Sequence, residues 1–229
     1  MSNSPEIAAS CLGVNVPASP FLTAGRIERI NAAEYEGIEI NGALRIVEPD
    51  DTVLELGAGI GIVGAVTSLH KKPKKVVSYE ANPALIPYIE TLYDMNGLGE
   101  RNSVKNEILL SAPDRPSSMP FHLGRSFLGS SILESGTTTA TSVDVPTADF
   151  NAVLESLQPT ILLMDIEGGE LPILDHTDLL GIRGIVIEFH PKTYGVENMR
   201  KCKNKLRTLG FVNIPDLSTR LVWCATRQI

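Results

Sequence analysis

Residues 52–61 read Thr-Val-Leu-Glu-Leu-Gly-Ala-Gly-Ile-Gly, and apolar residues at helical spacing follow them as far as Leu69. The first part is apolar and β-branched, which predicts a buried strand. Three alternate glycines predict a tight turn, and the residues after it predict a helix over 61–70. A strand, a glycine turn and a helix in this order let the backbone approach a nucleotide-like ligand closely.

The rest of the chain continues this alternation of strands and helices. Strand patterns occupy 53–56, 75–80, 104–109, 161–166 and 184–189, with two closing strands at 211–214 and 221–225. Helical patterns occupy 83–96, 148–157 and 196–209. The strands at 161–166 and 184–189 are almost continuously apolar, as in a parallel sheet that is covered on both faces. We therefore predict an α/β fold with a doubly wound, mostly parallel sheet.

Two regions do not fit the alternation. Residues 1–47 are predicted as an N-terminal arm packing on the core, irregular over 1–25, with short strands at 26–30 and 36–40 and a helical turn over 42–47. Residues 48–229 form the main domain. Within it, 111–142 is an insert rich in Ser, Pro, Thr and Gly, with a predicted hairpin of 121–123 with 131–134 and a candidate lid at 126–131.

Composition narrows the class of protein and its partners. A chain of 229 residues is long enough for one large domain, and a net charge of −7 argues against a nucleic-acid partner. The three cysteines show no Cys-x-x-Cys pattern, which favours a reducing, cytoplasmic setting. We expect neither a signal peptide nor a membrane partner, because no apolar run approaches the ~20 residues of a membrane span. The oligomeric state is not indicated.

Glu55 lies two residues before the first glycine of the turn and bears on the kind of ligand. The stretch from Gly59 to Gly64 also matches the G-x-G-x-x-G dinucleotide pattern. In a dinucleotide fold that turn faces a pyrophosphate, which a nearby carboxylate would repel. The same carboxylate can accept a hydrogen bond from the ammonium group of S-adenosylmethionine (SAM). The pattern favours SAM, and an NAD-dependent oxidoreductase is the alternative.

The ends of the next predicted strands offer further cofactor contacts. Glu80 ends the second strand, where a carboxylate can accept both ribose hydroxyls of an adenosine. Asn106 or Glu107, in the third strand, lies where an adenine amino group could be contacted. The predicted cofactor contacts are Glu55, Gly57, Ala58, Gly59, Gly61, Glu80, Ala81, Asn106 and Asp165.

Three motifs together resemble the FkbM family of class I SAM-dependent methyltransferases, over roughly residues 48–192. They are Glu55-x-Gly57-x-Gly59-x-Gly61, Tyr79-Glu80-Ala-Asn-Pro83 and Asp165-Ile-Glu167-Gly168-Gly169-Glu170. The first is generic to class I methyltransferases, whereas the third, after an apolar strand, separates this family from the others. The resemblance implies a Rossmann-like, seven-stranded sheet with a reversed final hairpin and SAM as methyl donor. It also implies oxygen methylation, on hydroxyls of a small molecule or glycan.

The candidate catalytic residues follow two predicted strands. Asp165 and His190 each end a strand, so both should face the crevice at the carboxyl edge of the sheet. Methyl transfer to a hydroxyl needs an aligned acceptor and the removal of one proton, which a histidine or a partly desolvated carboxylate can accept. We predict His190 or Asp165 as the base, with Glu167 and Glu170 orienting the loop. A purely structural role for His190, before Pro191, is the alternative.

Two further alternatives stay open. Asp165, Glu167, Glu188 and His190 offer hard oxygen ligands and one imidazole, which suit Mg²⁺ or Mn²⁺. Their spacing fixes no coordination geometry, so no metal is predicted. A SAM-binding regulatory module that has lost turnover is the non-enzyme alternative.

Overall fold

A central seven-stranded sheet organises the computed structural model, which describes residues 5–123 and 141–228. The strands are β1 (Ile7–Cys11), β2 (Val14–Pro17), β3 (Thr52–Leu56), β4 (Lys75–Tyr79), β5 (Asn102–Lys105), β6 (Ile108–Leu110), β7 (Ser118–Leu123), β8 (Thr141–Asp149), β9 (Ile161–Met164), β10 (Gly184–Glu188), β11 (Val212–Asn213) and β12 (Val222–Thr226). The helices are α1 (Ala24–Asn31), α2 (Gly37–Ile46), α3 (Ile62–Lys71), α4 (Ile86–Met95), α5 (Phe150–Leu157), α6 (Glu170–Asp175), α7 (Pro191–Tyr194) and α8 (Val196–Thr208).

The order of strands in the central sheet is β11-β12-β10-β9-β3-β4-β5. Strands β10, β9, β3, β4 and β5 pair in parallel, and β12 runs antiparallel to both of its neighbours. From β3 the chain extends the sheet first towards β5 and later, through β9, towards the other edge. This confirms the predicted doubly wound, mostly parallel, seven-stranded sheet, and β11 and β12 form its closing antiparallel hairpin. The change of direction lies between β3 and β9, and sheets of this kind bind ligands beyond the strand ends there.

The sheet separates two apolar cores. Along β3, Val53 packs in one buried cluster and Leu54 in the other, because successive side chains of a strand point to opposite faces. Helix α3 adds Val66 to the first cluster, and α5 and α8 add Phe150 and Leu206 to the second. Both faces are therefore covered, which explains the continuous apolar runs in β9 and β10.

The prediction of an irregular arm over 1–25 is wrong, because β1 and β2 form an antiparallel hairpin there. Leu12 and Gly13 form its turn with φ of +47° and +87°. The buried Cys11 and Val14 belong to the same core cluster as Val53. The small and polar residues of this segment hid a short alternation of buried and exposed positions.

The short strands predicted at 26–30 and 36–40 are also wrong, since these residues lie in α1 and α2. Thr23 caps α1 by accepting a hydrogen bond from the backbone N–H of Arg26. In α2 the buried Ile40, Ala43 and Ile46 follow one another at a spacing of three, which marks a helical face. Each of these predictions covered only five residues. So short a segment does not distinguish the two-residue period of a strand from the 3.6-residue period of a helix.

The insert adds a second, three-stranded sheet in the order β6-β8-β7. Strand β6 pairs in parallel with β8, and β7 pairs antiparallel with β8. The single strand predicted over 104–109 is thus two strands in different sheets, and the helix predicted from 148 begins at Phe150, capped by Asp149. The predicted partner of 121–123, at 131–134, and the candidate lid at 126–131 lie outside the described residues.

Two further observations concern the cysteines and the helices. Cys11, Cys202 and Cys224 are buried and free. No helix among residues 5–123 and 141–228 has the length and apolar character to span a bilayer.

Candidate active site

The glycine turn after β3 is pressed against the end of β9. Gly57 has φ of +79°, and a Cβ there would lie 1.7 Å from the carbonyl oxygen of Asp165. The Gly57 N–H donates to the carbonyl oxygen of Tyr79, at the end of β4. Gly61, with φ of +82°, then begins α3. The turn is tied to both neighbouring strands, and only glycine fits its first position.

Glu55 holds this turn from below. Its buried carboxylate accepts hydrogen bonds from the Ser78 hydroxyl and from the backbone N–H of Gly64, in α3. Burial raises the pKa of Glu55 to about 7, although both hydrogen bonds oppose the shift. Glu55 borders a small cavity behind the turn rather than the main cleft. The structure therefore gives it a positioning role, and direct contact with a ligand ammonium stays a prediction.

A cleft of about 840 Å³, partly open to solvent, lies at the carboxyl ends of β3, β4 and β9. This is the place that the topology selects. Five carboxylates border it, from Glu36, Glu80, Glu107, Asp165 and Glu167. Apolar side chains line it together with these carboxylates, as in many small-molecule sites.

Glu80 lies at one end of the cleft, beside the glycine turn. One of its carboxylate oxygens accepts the N–H of Gly59 at 2.8 Å, and the other accepts the N–H of Asn82 at 2.7 Å. Burial raises the pKa of Glu80 to about 7, against the effect of these hydrogen bonds. Each carboxylate oxygen keeps a further lone pair for a hydroxyl donor from the cleft.

Apolar side chains of the three-stranded sheet surround this end. Ile108, Leu109 and Leu110 of β6 border the cleft together with Phe121 of β7. These two strands therefore supply an apolar wall next to the Glu80 carboxylate. That combination fits a nucleoside, whose base is flat and largely apolar and whose sugar carries hydroxyls.

At the other end of the cleft lies what we term the carboxylate–histidine cluster, formed by Glu36, Glu39, Asp165, Glu167, Glu170, Glu188 and His190. Its members come from the start of α2, the segment after β9, the start of α6 and the end of β10. Four separate segments thus bring six carboxyl groups around one imidazole.

His190 is at the centre of the cluster. Its Nδ1 lies 2.7 Å from Glu170 Oε1, and its Nε2 lies 3.4 Å from Asp165 Oδ1 and 3.5 Å from Glu167 Oε2. Burial alone would lower the pKa of His190, but the Glu170 hydrogen bond and the surrounding carboxylates raise it to about 9. The carboxylates around His190 thus favour the protonated form of its imidazole.

Burial has the opposite effect on the pKa of the carboxyl groups, which it raises. It raises the pKa of Asp165 well above its ordinary value, and it raises that of Glu36 to about 8. Burial also raises the pKa of both Glu39 and Glu188. The carboxyl groups of the cluster therefore favour a nearby positive charge, which would lower these pKa values again.

The family of the chain follows from a comparison with family models. The methyltransferase FkbM domain matches residues 55–212, which is more than half of the chain. The chain belongs to the FkbM methyltransferase family. It is a SAM-dependent methyltransferase, and the NAD-dependent and non-enzyme alternatives are set aside.

Solved structures similar to this FkbM methyltransferase share its fold. Precorrin-6y C5,15-methyltransferase from Geobacter metallireducens GS-15 is 13% identical over 92% of each chain, with a TM-score of 0.50. Ribosomal protein L11 methylase from Lactobacillus delbrueckii subsp. bulgaricus is 10% identical over 92% of each chain, with a TM-score of 0.51. Such low identities show the fold alone. Among curated proteins, none matches the chain in sequence.

The FkbM methyltransferase structure divides the predicted cofactor contacts into two groups. Those that border the main cleft are Gly57, Gly59, Glu80, Ala81 and Asp165. Those that do not are Glu55, Ala58, Gly61 and Asn106. The second group supports the first from behind: the Ala58 N–H donates to the carbonyl oxygen of Tyr79, and a Cβ on Gly61 would lie 3.1 Å from Ile89.

The side chain of Asn106 is engaged by backbone carbonyl groups beside the cleft, and its contact with an adenine stays a prediction. Its side-chain amide donates to the carbonyl oxygens of Glu80 and Ala81, at 2.8 and 3.0 Å. These bonds fix the loop after β4, and Glu107 borders the cleft instead. The sequence predicted that Asn106 or Glu107 would reach the ligand. Which of the two borders the cleft depends on where β5 ends and β6 begins.

The predicted catalytic residues of the FkbM methyltransferase lie together. Asp165 and Glu167 border the cleft, and His190 contacts both. Sequence reasoning missed Glu36 and Glu39, which reach the cluster from α2. Their positions follow only once α2 is known to be a helix that begins at Gly37 next to the strand ends.

Proposed function

We propose that this FkbM methyltransferase transfers a methyl group to a hydroxyl of a small molecule or glycan. The observation that carries the proposal is the form of the cleft. A site suited to a nucleoside lies at Glu80, and a cluster suited to proton transfer lies at Asp165 and His190. The two ends are connected through one continuous cleft.

The residues of the Glu80 end fit the adenosine part of SAM. The Glu80 carboxylate is already fixed by two backbone N–H groups, so ribose hydroxyls would meet an ordered acceptor. The apolar wall of β6 and β7 would cover the adenine, and Glu107 would accept from its amino group. Glu36 and Asp165 lie at the far end, where the positive charge of the methionine part would lower their raised pKa values and be balanced by their ionised forms.

Bound SAM would supply a methyl group on a positively charged sulfur, which is a good leaving group. The chain must therefore align the acceptor oxygen and accept its proton. Asp165 Oδ1 lies 3.4 Å from His190 Nε2, so either group is placed to accept that proton, and Glu170 fixes the imidazole through Nδ1. His190 loses its proton more readily when a positive charge occupies the cleft, because like charges repel. Glu167 would orient the acceptor beside them.

The charge of the cluster limits the acceptor. Six carboxyl groups around one imidazole would repel a phosphorylated or otherwise anionic molecule. A neutral polyhydroxyl compound meets no such barrier, and carboxylates are suitable acceptors for its remaining hydroxyls. This supports a glycan or a hydroxylated small molecule and argues against nucleic acid. A cytoplasmic setting, consistent with three free cysteines, belongs to the same proposal.

The test is methyl transfer from isotope-labelled SAM to a panel of neutral glycosides, polyols and hydroxylated polyketides. We expect label in an alkali-stable ether product, and His190→Ala should lower the rate by roughly 10²–10⁴. SAM affinity, measured by calorimetry, should stay within a factor of about 3 of wild type, because His190 lies behind Asp165 and Glu167, at the end of the cleft away from Glu80. The matched control is Glu155→Gln, an exposed carboxylate on α5.

Two results would contradict the proposal. Undiminished turnover in His190→Ala would remove this residue from the reaction. Transfer of label to amines but to no hydroxyl would exclude the proposed acceptor class.

A further inference from the structure

Three side chains of the carboxylate–histidine cluster are placed as a metal site would need them. Asp165, Glu188 and His190 each offer a ligand atom, and these three atoms all lie within 4.8 Å of one another. Ligands on opposite sides of a divalent cation lie about 4–5 Å apart, twice the metal–oxygen distance. A central ion would thus fit between the three with small side-chain movements.

The orientation of His190 supports the same conclusion. Its Nδ1 is engaged by Glu170, so Nε2 is directed towards Asp165. A histidine that binds a metal through one nitrogen usually donates its other N–H to a carboxylate, which fixes the ring. Glu170 is fully buried and is placed to do this.

Unsatisfied oxygen atoms provide an independent observation. Oε2 of the fully buried Glu170 and Oδ1 of Asp165 are both shielded from solvent and have no hydrogen-bond partner among the described residues. A carboxylate oxygen buried without a donor is costly, and native structures normally provide one. A cation at the Asp165 position would satisfy Oδ1 and neutralise charge next to Glu170.

We propose that Asp165, Glu188 and His190 bind a divalent cation of the Mn²⁺ or Zn²⁺ kind. Two carboxylate oxygens and one imidazole suit Mn²⁺, and three protein ligands with an open position are also typical of catalytic Zn²⁺. A part of this inference rests on the proposed function. The open positions would hold two neighbouring oxygen atoms of the acceptor, which selects diols and hydroxycarbonyl compounds.

The site also assigns the proton acceptor of the proposed reaction. With a cation bound, Asp165 and His190 serve as ligands. Glu167 lies 3.5 Å from His190 Nε2 and is not one of the three donors. In the cation-bound form, Glu167 therefore replaces Asp165 and His190 of the proposed function as the group that accepts the hydroxyl proton.

The experiment titrates the protein with Mn²⁺ and follows the six-line electron paramagnetic resonance signal of the free ion. Wild type should bind one equivalent saturably. Glu188→Gln should weaken binding at least tenfold, and Glu170→Gln should weaken it 10- to 100-fold through the imidazole it orients. Glu155→Gln should bind like wild type, since its carboxylate is exposed on another face. Competition by Zn²⁺ and by Mg²⁺ then ranks the ions.

Folding is checked by circular dichroism and thermal unfolding in EDTA. Glu188→Gln removes one of several adjacent carboxyl groups, so we expect it to fold; Asp165→Asn is the second variant if it does not. Absence of saturable Mn²⁺ and Zn²⁺ binding by wild type would overturn the inference. So would equal binding by wild type and by the folded ligand variant.

Calorimetry with SAM in EDTA separates this result from the proposed function. Loss of Mn²⁺ binding with intact SAM binding and methyl transfer to a hydroxyl removes the metal site and leaves the function. Mn²⁺ binding without methyl transfer to any hydroxyl keeps the site and removes the function.

Discussion

Glu55 and Glu80 end neighbouring parallel strands and are both buried, yet they face different surroundings. Glu55 accepts from Ser78 and Gly64 and holds the turn to α3. Glu80 accepts from two backbone N–H groups and borders the cleft. Burial raises the pKa of each carboxyl to about 7. Two similar acids therefore support separate predictions, one for ligand binding and one for stability.

Glu80→Ala should weaken SAM binding. The substitution removes the acceptor that we assign to the ribose hydroxyls, and a hydrogen bond to a charged group contributes about 1.5–3 kcal/mol. Calorimetry should show a loss of roughly 10- to 150-fold in affinity. Glu155→Gln is the control, and unchanged affinity in Glu80→Ala would refute the assignment.

Glu55→Gln should reduce the pH dependence of stability. The pKa of Glu55 in the folded protein, about 7, is higher than its ordinary value of 4.5, so the folded state holds the proton more tightly. This stabilisation is complete below pH 4.5 and is lost as the pH rises through 7. Glutamine keeps an acceptor for Ser78 but does not titrate.

The measurement is urea unfolding of both proteins at several pH values. We expect the free energy of unfolding to fall less steeply between pH 4.5 and 7 in Glu55→Gln than in wild type. Parallel curves would show that Glu55 does not titrate in this range.

At the residue scale, the sequence predicts which polar residues lie at the ends of strands. It does not predict in which direction their side chains point. Strand ends placed Glu80, Asp165 and His190 at the carboxyl edge of the sheet, and the structure agrees. Which of the neighbours Asn106 and Glu107 borders the cleft depends on where β5 ends and β6 begins, and it is Glu107 that does so. No local pattern encodes that change.

At the scale of elements, the turn between β3 and α3 requires glycine because its backbone lies very close to the end of β9. Gly57 and Gly97 both have positive φ, +79° and +67°. A Cβ at Gly57 would meet the carbonyl oxygen of Asp165 at 1.7 Å, whereas at Gly97 nothing lies within 4 Å. Alanine substitutions at these two positions therefore separate the cost of a left-handed backbone, which both share, from the cost of a steric clash, which only Gly57 has.

Gly97→Ala should cost about 1–2 kcal/mol, the strain of a left-handed backbone with a side chain. Gly57→Ala should cost about 3–5 kcal/mol, because overpacking adds to the same strain. It should also weaken SAM binding, since the turn must move away from β9. Urea unfolding and calorimetry measure both effects, and equal costs for the two variants would contradict the close approach.

Long apolar elements were predictable and short amphipathic ones were not. Strands β3, β4, β9 and β10 of the central sheet are buried on both faces, so apolar runs reveal them. The hairpin β1–β2 and the helices α1 and α2 bury only one face, and polar residues interrupt their patterns. The error mattered for function, because Glu36 and Glu39 reach the cluster from α2.

At the scale of the whole molecule, the candidate active site lies where the chain changes the direction in which it extends the sheet, between β3 and β9. The cleft lies beyond the ends of β3, β4 and β9, and the second sheet closes one side of it. The N-terminal segment contributes to both structure and site. Its hairpin packs in the core, and the segment before α2 brings Glu36 to the cleft.

If the N-terminal hairpin is part of the cooperative core, shortening one of its buried side chains should destabilise the whole protein. Val14 is fully buried in the cluster that contains Val53 and Val66. Val14→Ala removes two buried carbon groups and leaves a cavity, at a cost of about 2 kcal/mol.

Val212, 70% exposed at the edge of the sheet, is the matched control, and Val212→Ala should change stability by less than about 0.5 kcal/mol. Urea unfolding followed by Trp223, which lies in the other core cluster, reports on the core beyond the sheet. A shifted midpoint with an unchanged slope would show that hairpin and sheet unfold as one unit. An unshifted midpoint in Val14→Ala would mean that the hairpin unfolds independently, because a distant probe senses only changes that the cooperative unit shares.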